Sequence, residues 1–111
     1  MAKVKIPIFY GDIEIFQVEN INDISDIYGL VHIECDAWVY PLCVGGHNTY
    51  IMAFSDKVTH SIIAHESLHV TNLICKHAGI KLDVDNDETQ AYILGFVVTA
   101  CYKHLKKVNY D

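Results

Sequence analysis

Arginine is missing from this chain of 111 residues: eight lysines carry all of its side-chain positive charge, against fourteen acids and for a net charge of −6. That balance makes it a poor candidate for holding the phosphate backbone of a nucleic acid. Long apolar runs are missing too. No stretch approaches the ~20 residues that span a bilayer, so no membrane partner is expected. The opening Met1-Ala-Lys-Val-Lys-Ile-Pro7 has no apolar signal core followed by a small-residue cleavage site. The four cysteines, Cys35, Cys43, Cys75 and Cys101, form no Cys-x-x-Cys pair, and such scattered thiols read as reduced and buried. Together these absences point to a cytoplasm. The bias toward Ile, Lys, Asn and Tyr without Arg resembles coding from an AT-rich genome, such as that of a phage or its host; the compartment would then be the host cytoplasm.

What is present is an apolar content of 51% with 20% charged residues, the composition of one globular domain with a modest core. Residues 3–9 alternate as a strand, Pro7 marking an edge or an end. Tyr10-Gly11-Asp12 turns the chain, and residues 13–18 alternate again, so the pair reads as a hairpin. Ile21, Ile24 and Tyr28 have helical spacing and Gly29 can stop a short helix or turn. Residues 32–36 and 37–44 form two alternating pieces, and Gly45-Gly46-His47-Asn48 is a turn signal before the β-rich run Thr49–Phe54. The first half therefore reads as a small antiparallel sheet of three to five strands. Two long helices follow: about Lys57 to His77, capped from Ser55-Asp56 and stopped at Gly79, and Glu88 to about Lys107. The expected fold class is α+β, residues 1–111 as one domain.

The first of those helices carries His65-Glu66-Ser67-Leu68-His69. Residues four apart on a helix lie one turn apart and only roughly 40° around, so both imidazoles face one way and can share one metal ion. Glu66, about 100° around from His65, stands beside such an ion, where it can take a proton from water. A catalytic zinc site needs a third protein ligand and one open position. Glu88, nineteen residues after His69, is the first candidate, because a helix hairpin would bring the first turn of the second helix beside the histidines. Cys75, Asp85 and Asp87 are alternatives. Asp85-Asn-Asp-Glu88 also fits a capping box, a purely structural role for the same glutamate.

With these residues in hand, the chain resembles a minimal zincin of the glutamate-ligand (gluzincin) type. The matching residues are His65, Glu66 and His69, then Glu88 in Asn86-Asp-Glu-Thr-Gln-Ala-Tyr92. The compact size and the helix-borne Glu-x-x-Ala are also similar to metallopeptidases of phages and mobile elements. The resemblance implies a zinc-dependent metallopeptidase with one Zn²⁺ on His65, His69 and Glu88, Glu66 as general base, and a protein or peptide substrate. It also implies that the last strand of the sheet edges the cleft, so that Tyr50, Met52 and Phe54, or their opposite-face neighbours, border bound substrate. The chain departs from the family in having Tyr92 where many gluzincins have an Asp that orients a ligand histidine. In larger relatives the transition-state donors come from a C-terminal domain, for which no counterpart is expected here. His47, Tyr50, His77 and Tyr92 are candidate donors in their place. A second expectation is a zincin-like module, weak or inactive in catalysis, that keeps the metal and binds a protein partner.

Overall fold

The computed structural model describes residues 1–110. Its elements run β1 (Ala2–Lys5), β2 (Asp12–Val18), α1 (Asn22–Ile27), β3 (Ala37–Val44), β4 (His47–Ser55), α2 (His60–His77) and α3 (Glu88–His104). The four strands form one sheet in the order β1-β2-β4-β3. The α+β class and the two long helices are as expected. The antiparallel sheet is not. β1–β2 and β3–β4 are antiparallel hairpins, but β2 and β4 pair in parallel, Ile13 opposite Tyr50 and Ile15 opposite Met52. The first hairpin ends in the connection through α1, which carries the chain across so that β4 enters beside β2 in the same direction. Alternation within each strand cannot reveal that choice of neighbour. Residues 32–36, expected to be extended, form no strand.

β4 is the centre of the core. Every residue from Tyr50 to Ser55 is buried, because both faces of the strand are covered, which produces a nearly continuous apolar run instead of alternation. Tyr50, Met52 and Phe54 join Ile13, Ile15 and the inner faces of α2 and α3 in the larger core. Ile51 and Ala53 face the other way, against Ile21 and Ile24 of the α1 segment, with Trp38 and Phe16 packed alongside. Fully burying a side chain of this size contributes roughly 1.5–3 kcal/mol, so α1, although only six residues long, closes a second apolar layer. Pro41 is accommodated in β3, an edge strand, where a missing amide costs least. The β3–β4 hairpin turns at Gly45 and Gly46, both at positive φ, 59° and 80°, as a two-residue turn between right-twisted strands requires.

Helix α2 begins later than its sequence suggests. Thr59 is its N-cap, its hydroxyl accepting from the Ile62 amide at 3.3 Å. Ser55 instead ends β4, its hydroxyl donating to Asp36 Oδ1 at 3.0 Å and accepting from the Lys57 amide at 3.1 Å. At the other end Gly79, at φ 73°, stops the helix as expected, with the Ile80 amide returning to the Cys75 carbonyl at 2.8 Å. The second long helix starts at Glu88 but ends at His104, three residues early, because Leu105 turns extended. There the Gln17 carboxamide accepts from the Lys106 and Lys107 amides and donates to the Lys107 carbonyl. Among the described residues, no helix is long and apolar enough to cross a membrane.

Candidate metal centre

The inward face of α2 is Ile63, Ser67, Val70, Thr71, Ile74 and Cys75, a three-and-four spacing that fixes the rotation of the helix. With that face committed to the core, His65 and His69 turn outward and Glu66 comes to the boundary, half-buried. The two imidazoles meet edge to face, ring planes 79° apart, with their Nε2 atoms 3.1 Å from each other. Two ligand nitrogens on one tetrahedral zinc, at about 2.0–2.1 Å each, lie about 3.4 Å apart. The donor pair therefore fits a shared metal ion with a few tenths of an ångström of adjustment. Among the described residues, no third His, Cys, Asp or Glu makes a group with them.

Burial pushes the Glu66 carboxyl above the ordinary carboxylate range, while the His69 and His65 side chains pull it back down. Glu66 stands where two clefts meet. The larger, about 510 Å³, runs between Ala37, Trp38 and Val39 of β3 and the α2 residues Glu66, His69, Asn72 and Lys76. The smaller, about 360 Å³, continues past Ala37 and Glu66 to Asp36, Ile62 and His65. The groove thus follows the outer edge of β3, the strand that pairs only with β4.

This geometry corrects the expectation for the cleft-bordering strand. Tyr50, Met52 and Phe54 are 1%, 0% and 0% exposed, and their strand lies inside the sheet; β3 takes the edge because the hairpin folds outward from the parallel β2–β4 pair. Cys75 is also fully buried, since α2 runs straight through Asn72 to His77 and turns the thiol to the core. Glu88 opens α3 as an exposed residue. Asp87, not Asp85, precedes the helix as its cap residue and makes no side-chain capping bond; the Asp85 amide donates instead to Asp83 Oδ1 at 3.0 Å. Neither Asp85 nor Asp87 is buried. The first turn of α3 is nevertheless tied to the motif helix, because Gln90 Nε2 donates to Asn72 Oδ1 at 2.9 Å.

Three of the four candidate transition-state donors are engaged elsewhere. Tyr50 and His77 stack on and hydrogen-bond to each other at 2.7 Å. His47 pairs with Asp12 at 2.7 Å, and Tyr92 is 76% exposed. Asn72 and Lys76, which line the cleft, were not singled out from the sequence. The signal for them is helical periodicity: three and seven residues after His69 they fall on the same face. Set against protein-family models, curated proteins and solved structures, the chain matches none of them.

Proposed function

We propose that this chain is a zinc-dependent metallopeptidase that hydrolyses peptide bonds in the groove between β3 and α2. The observation that carries the proposal is the convergence of His65 Nε2 and His69 Nε2 at 3.1 Å, at the point where half-buried Glu66 faces the groove. His65 and His69 would hold the ion, with Glu88 on the first turn of α3 as the third protein ligand. Zinc, when bound, supplies Lewis acidity that makes water a usable nucleophile near neutral pH and draws charge from a carbonyl. Glu66 accepts the proton of the attacking water and passes it to the leaving amine. β3 is an edge strand, paired only with β4, and to its outer edge an extended peptide can add as a further strand. In that position its carbonyls pass Glu66.

A metal-binding module that grips a protein partner is the second reading, favoured by Tyr92, which stands exposed at the position where gluzincins orient a histidine. Metal analysis of protein purified without added zinc, with cleavage of unfolded casein by wild type and Glu66→Gln, separates the two. Near one equivalent of zinc, with cleavage lost in Glu66→Gln, is expected of the peptidase. Zinc without cleavage leaves the binding module, and protein free of zinc when purified or reconstituted ends both.

A further inference from the structure

Beyond His69 the groove changes character. Asn72 and Lys76 lie four residues apart on one face of α2 and line the same cleft as Glu66 and His69. The Asn72 carbonyl oxygen accepts from Gln90 Nε2 at 2.9 Å, and the amide's NH₂ carries two donors that it can offer the cleft. Lys76 has three donors and no acceptor, and it is the sole cation among the residues lining the two clefts. This end of the groove therefore presents donors and positive charge. The opposite end carries Asp36, whose Oδ1 is already engaged by the Ser55 hydroxyl. In a chain of net charge −6, a local reversal of sign in a groove selects what can lie there.

From this we infer that Asn72 and Lys76 form a subsite for an acidic side chain of an extended peptide, a specificity that rests on the peptidase reading above. The spacing fixes where that residue stands. Lys76 is seven residues beyond His69, a rise of about 10 Å along the helix at ~1.5 Å per residue. An extended peptide covers that span in about three residues at ~3.3 Å each. The acidic residue thus lies about three positions from the bond being cut, on one side only. Between them the walls are Ala37, Val39 and Leu73, which suit apolar side chains.

The test is a mixed library of end-capped decapeptides, incubated with zinc-loaded wild type, its cleavage products sequenced by mass spectrometry. The expected result is enrichment of Asp and Glu by about fivefold, the scale of a partly exposed charge pair, at one position about three residues from the cut. Lys76→Glu should move that preference to Lys and Arg, and Asn72→Asp should weaken it, with circular dichroism showing both variants folded. Cleavage without acidic preference, or a preference unmoved by Lys76→Glu, overturns the subsite. If wild type cuts nothing, the peptidase reading fails separately, and the same library is passed over immobilised Glu66→Gln protein. Retention of acidic peptides, reversed by Lys76→Glu, then still supports the subsite. No acidic retention overturns it.

Discussion

Gln90 on α3 donates to the carbonyl oxygen of Asn72 on α2 across 2.9 Å, one helical turn past His69. Both side chains are partly buried, and the bond ties the first turn of α3, with Glu88 two residues before Gln90, to the helix that carries the histidine pair. Gln90→Ala should cost about 1 kcal/mol of stability, the usual net value of one hydrogen bond, seen as a lower urea midpoint. If Glu88 completes the metal site, zinc affinity should fall with it by about tenfold, as when outer partners of metal ligands are lost. Competition with a chelating dye measures this. Stability lowered with zinc affinity untouched would remove Glu88 from the ligand set.

The histidine pair itself should be nearly free of structural cost. Both rings are exposed, and the core face of α2 does not include them. His69→Ala should therefore leave the metal-free protein within about 0.5 kcal/mol of wild type, while bound zinc falls from near one equivalent to near none. Equal zinc content in the two proteins would end the proposal that His65 and His69 share an ion.

How far the sequence could be read follows from which forces are local. The histidine spacing, the Gly79 stop and the start of α3 at Glu88 depend on residues within a turn or two of each other, and all were legible. The order of strands is not local: a parallel β2–β4 pair leaves the alternation of Ile13, Ile15, Tyr50 and Met52 unchanged. That single choice moved the edge from β4 to β3 and with it the groove wall from Tyr50, Met52 and Phe54 to Ala37–Val39. Asn72 and Lys76 were within reach of helical periodicity, but only the β3 wall opposite them makes a cleft of that face.

The two strands accordingly predict opposite phenotypes. Phe54 is fully buried in the main core, so Phe54→Ala should destabilise by about 3–5 kcal/mol, enough to unfold much of a small domain at 37 °C. Tyr40, on the edge strand and 39% exposed, should tolerate Tyr40→Thr within about 1 kcal/mol, Thr being a good strand former. Thermal unfolding followed by circular dichroism compares them. Similar losses at both positions would contradict the placement of β4 inside the sheet.

Tyr28 gives the fold an alkaline signature. Its hydroxyl donates to Glu14 Oε2 at 3.0 Å; burial first, then that hydrogen bond and the charge of Glu14, push it from near 10 up to about 12. Since the folded pKa lies above the unfolded one, the unfolded chain loses its proton first as pH rises. The stability this contributes is whole below about pH 10 and gone once pH passes about 12. Tyr28→Phe retains the ring edge against Phe16, 6.1 Å between centroids, but has nothing to titrate. The urea midpoints of the two proteins should differ at pH 9 and converge toward pH 12. A gap independent of pH would mean the hydroxyl is not held as described.

The thiols report the core directly. Cys43 is exposed, Cys35 intermediate, and Cys75 and Cys101 buried. Cys101 lies beneath the motif helix, its thiol 3.8 Å from the Ser67 hydroxyl and 3.7 Å from the Met52 sulfur. Burial drives it up to about 11, with the Ser67 hydrogen bond pulling weakly the other way. Because the thiolate is the reactive form, an aromatic disulfide reagent at pH 8 should modify Cys43 in the first phase. Cys101 and Cys75, whose thiol burial also raises, should react only as the protein opens, at a rate that climbs with urea. Peptide mapping identifies which cysteine carries the label. Rapid native labelling of Cys101 would show that α2 and α3 do not close over β4, and the placement of Glu66 against β3 would fall with that packing.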